Sequence, residues 1–397
     1  MAGLYIHIPF CKQACHYCNF HFSTSLAFKN DFISALLKEI SLRKDYLQGE
    51  KISTIYFGGG TPSLLQIEEL NQVLHTVKMN FPLEENAEVT LEANPDDISP
   101  SILKAWLDTG INRLSIGVQS FFDEDLLWMN RAHSAGQAIL SLENAKQAGF
   151  SNISIDLIYG SPTTTDPNWK KNVDKAIGLE IPHLSCYALT VEPKTPLNKM
   201  IQLHKKKNID PEDQARQFIL LMDWMADANY EHYEISNFAM PGWRSKHNSS
   251  YWLGKKYLGL GPSAHSFNGT SRQWNLSNNH IYFQSLSRDQ LPFEAEILTP
   301  VQKLNEFIMT SLRTSAGISL DRISSQYGER IREKILMNAE GYLKNKKLVV
   351  EEMSLCLTRE GKLLADGIAA DLFFEAEDLG LIHSDDRFPG AAHENSV

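Results

Sequence analysis

The sequence predicts an α/β protein built on a parallel sheet, either open and doubly wound or curled into a barrel, with a C-terminal α+β helical module resembling a winged helix. Three observations lead there. Short apolar, β-rich runs alternate with stretches of helical periodicity six times in succession, the pattern of right-handed βαβ crossovers onto a parallel sheet. Polar and glycine residues gather just past the predicted strand ends, where α/β folds place their function. After about Thr190 the repeat stops and helices dominate to the C-terminus.

The strands are expected near Leu4–Ile8, Ile52–Phe57, Glu88–Ala93, Arg113–Val118, Ile153–Ile158 and His183–Leu189. Helical spacing runs over Leu26–Leu47, Leu64–Val77, Pro100–Leu107, Gly136–Ala148 and Trp169–Ile177. Ser99-Pro100 reads as an N-cap followed by proline at the first helical position, and Gly110 and Gly149 as C-terminal glycine caps. These six units give a first domain over 1–200. Residues 201–298 follow as a linker helix, Pro211–Ala228, and an aromatic-rich stretch that completes the barrel. Residues 299–374 read as three helices and two short strands, around Val349 and Leu355–Thr358, a packing domain more than a DNA reader. Residues 375–397 read as a mobile acidic tail.

Composition narrows the function. The chain has 397 residues and a formal charge of −10, against nucleic acid as a main partner. It has no apolar run of the roughly 18 residues a membrane span requires. The N-terminus enters a strand without a basic or amphipathic leader, so a cytoplasmic protein is expected. Of five cysteines, three fall within eight residues, a poor disulfide framework and a better metal site.

Those three are Cys11-x3-Cys15-x2-Cys18, directly after the first strand. Three thiolates on one loop can hold three irons of a [4Fe–4S] cluster and leave the fourth open to a small molecule. A Cys3His zinc site completed by His16 or His21 is the competing reading, although zinc ribbons present a second CxxC half and none exists here. Gly58-Gly59-Gly60-Thr61-Pro62, past the second strand, is either a tight turn or a backbone approach to a ligand, and no Gly-Lys-Ser/Thr follows to make it a Walker loop. Glu92, Gln119, Arg131 and Asp156 fall in order on the same rim.

The cysteine spacing, with Tyr17 just before the third cysteine, resembles the radical S-adenosylmethionine superfamily. That resemblance implies a partial (β/α)6, TIM-like barrel, with S-adenosylmethionine on the open iron and its reductive cleavage to a 5′-deoxyadenosyl radical. The blocks Leu91–Pro95, Gly117–Phe121, Asn130–His133 and Asp156–Gly160 resemble the oxygen-independent coproporphyrinogen III dehydrogenases from Tyr5 to about Thr190, and more loosely beyond. This implies that Tyr5, Tyr17, Gly59 and Glu92 meet the cluster-bound S-adenosylmethionine, and that Gly60, Thr61, Gln119, Arg131 and Asp156 meet the second molecule known in those enzymes.

Two departures point to a sister branch, the HemW-type heme chaperones. Phe20 stands where the dehydrogenases carry a fourth cysteine, and no extension precedes Cys11 in this sequence. Phe20 and Phe22 are expected to pack around the cluster. His247-Asn248-Ser249-Ser250-Tyr251-Trp252 resembles the HNxxYW block of these chaperones, linked to heme binding. The resemblance makes His247, Asn248, Tyr251 and Trp252 heme-binding candidates, with Arg244 and Lys246 for propionates and His265, in Gly259–Ser266, a secondary contact for heme or S-adenosylmethionine. It implies heme cargo, an apo-heme acceptor such as a respiratory enzyme, an electron donor for the cluster and a possible homodimer. The alternative is the dehydrogenase reaction, from coproporphyrinogen III to protoporphyrinogen IX.

Overall fold

The computed structural model of the protein describes residues 1–380. These fall into two compact units, Met1–Ile297 and a second that begins at Leu298.

In the first unit the six βα repeats are β1 (Ala2–Ile8), α1 (Lys29–Leu42), β2 (Ile52–Gly59), α2 (Ile67–Asn80), β3 (Leu83–Ala93), α3 (Pro100–Thr109), β4 (Arg113–Gln119), α4 (Asp123–Met129), α5 (Ala135–Ala148), β5 (Ile153–Tyr159), α6 (Asp166–Gly178) and β6 (His183–Ala188). All six strands are parallel, each beside the next. The local signals hold: Ser99 caps α3 through its side chain, and Gly110 and Gly149 end α3 and α5 with φ of 100° and 105°.

The alternation within each strand divides two environments. Leu4, Ile6, Ile8, Phe57, Leu91, Leu114, Ile116, Ile155 and Leu184 are buried in the apolar layer they share with helix residues such as Phe32, Val73 and Trp106. The alternate residues form the barrel interior and are polar or small: Gly3, Tyr5 and His7 on β1, Thr54 and Tyr56 on β2, Thr90 and Glu92 on β3, Arg113 and Ser115 on β4, Ser154 and Asp156 on β5, His183 and Ser185 on β6.

The chain continues through α7 (Pro196–Gln202), α8 (Pro211–Asp227), β7 (Glu231–Glu234), β8 (Asn237–Ala239), α9 (Lys246–Trp252), β9 (Tyr257–Leu260), β10 (His265–Phe267), β11 (Ser271–Asn275), α10 (Asn279–Ser287) and β12 (Phe293–Ile297). These strands extend both edges. β8 joins β6 antiparallel with β7 outside it, while β9 joins β1 in parallel and leads to the antiparallel β10, β11 and β12. The result is a twelve-stranded sheet curled into a partial barrel.

The second unit contains α11 (Pro300–Leu312), β13 (Ile318–Ser319), α12 (Leu320–Tyr327), α13 (Glu329–Lys344), β14 (Leu348–Glu351), β15 (Ser354–Leu357) and α14 (Ala365–Asp371), with a small antiparallel sheet ordered β13-β15-β14. Glu375–Gly380, the start of the expected mobile tail, contains a 3-10 turn whose Asp378 pairs with Lys334; residues 381–397 lie outside the described residues. Among the described residues no helix is long and apolar enough to cross a membrane.

Candidate functional site

Past the C-terminal ends of the parallel strands lies a cavity of about 460 Å³, lined by Cys11, Cys15 and Cys18 together with Tyr17, Gly59, Gly60, Thr61, Glu92, Gln119, Arg131 and Asp156. Two expected S-adenosylmethionine contacts lie outside that lining, the secondary candidate His265 and Tyr5. Tyr5 sits a layer lower, 6.2 Å from Tyr56 between ring centroids, and its hydroxyl donates to His7 Nδ1 at 3.2 Å. His7 Nε2–H donates to the His21 carbonyl, and burial pushes the imidazole down to about 4, so it is neutral at pH 7.

The cysteine loop is braced from one side. Asn130, at φ 60° and ending α4, donates from Nδ2 to the Ala14 carbonyl at 2.7 Å and accepts from Gln13 on its own carbonyl at 2.9 Å. The next residue, Arg131, reaches the Cys15 sulfur at 3.3 Å, the Asn94 side chain at 2.7 Å and the Gly117 carbonyl at 2.9 Å. Gly117 leaves room for it: a Cβ there would lie 3.1 Å from the guanidinium. Gln119 holds φ 64° at an irregularity between β4 and β5, a strained position of the kind found at ligand sites.

The triple glycine is explained by close approach. A Cβ on Gly59, at φ 106°, would lie 2.5 Å from the His7 ring, and one on Gly60 2.5 Å from the Phe10 carbonyl oxygen. Gly59 N–H donates to Glu92 at 3.2 Å and Tyr56 O–H at 2.8 Å. Burial, and then the charge of Asp156, pushes Glu92 up to about 8; burial pushes Asp156 up to about 6. Two carboxyls that resist ionisation beneath an open cavity suit a cationic ligand.

The thiols fit an iron–sulfur cluster better than a single ion. All are free and partly buried, and burial raises Cys11 to about 11 and Cys18 above its usual range, so metal uptake must displace protons. Among the described residues no group of three His, Cys, Asp or Glu side chains converges to hold one metal ion. A mononuclear site needs sulfurs about 2.3 Å from one point, whereas a cubane takes each cysteine on its own iron, which thiols spread around a cavity can satisfy. His16 meets the Trp128 carbonyl and Lys206, His21 meets Asn279, and neither lines the cavity. Phe20 does line it, 68 % exposed, as does Phe22.

The structure separates His247 from this site. Ser245 and Glu88 cap α9, Glu88 accepting from Lys246 N–H at 3.2 Å and His247 N–H at 3.1 Å. The helix plugs the opposite end of the barrel, where His247 bonds Thr54 at 2.7 Å and Tyr251 at 2.8 Å and stacks on Tyr56 at 4.9 Å. The ring is 1 % exposed, and burial holds it down to about 3. An imidazole with both nitrogens engaged offers iron no lone pair, which departs from the expected heme contact. Asn248, Tyr251 and Trp252 are half-buried on the same helix, and Arg244 is paired with Glu231.

Sequence reasoning passed over Ser115 and Tyr187, which also line the cavity, and Arg113 beneath it. Ser115 and Arg113 are two residues apart on β4, and Tyr187 follows Ser185 and His183 on β6, so the two-residue strand period points to all three.

Residues 5–176 match the radical SAM superfamily and residues 298–364 the HemN C-terminal domain. The heme chaperone HemW of Bacillus subtilis (strain 168) is 34 % identical over 373 residues, covering 93 % of this chain and 98 % of that protein. HemW of Haemophilus influenzae is 30 % identical over 389 residues, covering 94 % and 98 %. A solved structure of coproporphyrinogen III oxidase (HemN) from Escherichia coli, described as a radical SAM enzyme, superposes with a TM-score of 0.81 at 23 % identity, covering 94 % of this chain and 90 % of that one, a likeness of fold. Identity of this order along nearly the whole length places the chain in the family of HemW-type heme chaperones, within the radical S-adenosylmethionine superfamily.

Proposed function

We propose that this protein carries a [4Fe–4S] cluster on Cys11, Cys15 and Cys18, binds S-adenosylmethionine at the same cavity, and takes up heme for delivery to apo-acceptor proteins. The observation that carries the site is the convergence of the three thiols, the Gly59–Thr61 turn, Glu92, Gln119, Arg131 and Asp156 on one cavity. When bound and reduced by an electron donor, the cluster supplies one electron toward the sulfonium of S-adenosylmethionine. The chain's own residues bind and shield. Glu92 offers a carboxylate to the ligand's amino group, Gly59 and Gly60 admit it against the backbone, and Arg131 holds Cys15 and the wall formed by Asn94.

Heme as cargo is supported by the names of the relatives that match almost end to end. Phe20, where the dehydrogenases have their fourth cysteine, weighs against porphyrinogen turnover. Anaerobically reconstituted protein is expected to take up hemin, give a Soret band that survives gel filtration, and pass heme to an apo-acceptor without oxidising coproporphyrinogen III. Steady formation of protoporphyrinogen IX would replace the chaperone reading with the enzymatic one.

A further inference from the structure

His247 is sealed, so heme iron needs another donor, and the Gly259–Ser266 turn presents one. The chain reverses there so tightly that a Cβ on Gly259 would lie 2.1 Å from the His265 carbonyl oxygen, and one on Gly261 2.4 Å from that of His7. The turn is fixed from behind. Glu39, 0 % exposed, accepts from Gly261 N–H at 2.8 Å, Asn275 Nδ2 at 2.7 Å and Tyr282 O–H at 2.6 Å. Arg43, 3.4 Å from Glu39, donates to Gln273 at 2.7 Å and Asn275 at 3.0 Å. Burying a charge pair costs stability unless hydrogen bonds offset it; here the bonds of Glu39 and of both terminal Arg43 nitrogens tie the turn and β11 to α1, and Arg43 Nε keeps only its ion-pair contact with Glu39.

The lock determines which face is turned away from α1. Ser266, Gln273 and Asn275 face α1; the opposite face carries His265 across from Trp274, and Phe267 across from Arg272. The His265 ring stacks on Trp274 at 6.2 Å and 29°, and the Arg272 guanidinium lies 5.8 Å from the Phe267 centroid. Phe267 continues to Tyr257 at 6.3 Å, and Tyr257 meets Tyr251 of the HNxxYW block at 4.7 Å. His265 is exposed, and among the described residues neither ring nitrogen has a hydrogen-bond partner. Partial burial, and then Arg272, holds the imidazole below its usual pKa, so the neutral, ligating form dominates at pH 7.

We propose that His265 is an axial ligand to the heme cargo, on a face where Trp274 and Phe267 receive the macrocycle and Arg272 a propionate. The proposal rests on the heme reading above and locates the site. Imidazole is a common haem ligand, indole and phenyl faces suit a flat ring system, and a guanidinium suits a carboxylate. Glu294, which accepts from the Trp274 indole N–H at 3.0 Å, and Glu296 stand directly across from Trp274 and Arg272 on β12, so that margin is acidic and a propionate is favoured on the side of Arg272 away from it. The Tyr251–Tyr257–Phe267 contacts join this face to α9, so the HNxxYW block supports the site from beneath while His247 stays buried.

The test is hemin titration of the full chain followed by its Soret band, for the unaltered protein, His265→Ala and Trp274→Ala. His265→Ala is expected to bind about tenfold or more weakly and with a shifted band, and added imidazole to restore the original band. Trp274→Ala is expected to weaken binding while leaving the band in place. If His265→Ala retains both affinity and band position, another residue ligates the iron and the proposal fails while heme binding stands. If the unaltered protein takes up no hemin, the cargo reading fails and the site falls with it.

Discussion

The two ends of the barrel interior are made of the same kinds of residue and do opposite things. At the mouth, Cys11, Cys15, Cys18, Glu92, Gln119, Arg131 and Asp156 line open space. At the closed end, His247, Thr54 and Tyr251 satisfy one another, as do His183, Ser154 and Tyr233, with bonds of 2.6 to 2.8 Å. Residue type does not distinguish a ligand site from a polar core; what does is whether the hydrogen-bonding capacity is already spent. Arg113 breaks the symmetry: 1 % exposed at the closed end, it has among the described residues no hydrogen-bond partner on any of its three nitrogens, yet its charge favours ionised Glu92 and Asp156 in the layer above.

The sharpest way to break this contrast is at the mouth. Cys15→Ala is expected to lose the cluster outright, seen as loss of iron, sulfide and visible absorbance, with a far-UV spectrum unchanged. At the closed end the same kind of truncation should act on stability. His247→Ala is expected to cost about 3 kcal/mol in denaturant unfolding, from a cavity plus orphaned Thr54 and Tyr251 hydroxyls, while cluster content per folded chain stays the same. A variant that unfolds normally but loses iron would merge the two ends into one site.

The histidines add a pH signature. His7 and His247 titrate near 4 and 3 when folded, below their ordinary value near 6.5. The unfolded chain therefore binds more protons between those values, and stability, complete above about pH 6.5, falls as pH drops through that window by up to about 1.4 kcal/mol per pH unit for each histidine. Glu92 and Asp156, raised when folded, act with the opposite sign. The difference between the unaltered protein and His247→Gln isolates one histidine, and an identical acid dependence in both would contradict its burial as a neutral ring.

Smaller effects should sit at Glu92. A cationic ligand favours its ionised form, so S-adenosylmethionine affinity is expected to strengthen by up to about tenfold per pH unit up to about pH 8. Calorimetry in buffers of different ionisation enthalpy should show proton release on binding, and Glu92→Gln should abolish it. Smallest of all, Arg113→Met is expected to move that pH profile upward by about half a unit to one unit. No movement would show that Arg113 does not act on the carboxyl above it.

Much of the mouth was legible because strand periodicity, glycine turns and clustered cysteines are local signals. The six parallel strands and the caps at Ser99, Gly110 and Gly149 follow from neighbours in sequence. The closed end was not legible. His247-Asn248-Ser249-Ser250-Tyr251-Trp252 reads as an aromatic-rich loop until Glu88, far away in sequence, caps it into a helix and Thr54 closes on the imidazole. The parallel pairing of β9 with β1 joins residues some 250 positions apart, which no local pattern encodes. Arg113 opens its strand, and nothing beside it in sequence signals that its charge is buried.

Iron and sulfide analysis with electron paramagnetic resonance, on protein reconstituted anaerobically and reduced, bears on all of this most directly. About four irons per chain are expected, with a signal that shifts when S-adenosylmethionine is added, because one iron lacks a cysteine. A colourless, iron-free protein after reconstitution, or a cluster signal indifferent to S-adenosylmethionine, would contradict the assignment of the mouth as a cluster site with an open corner.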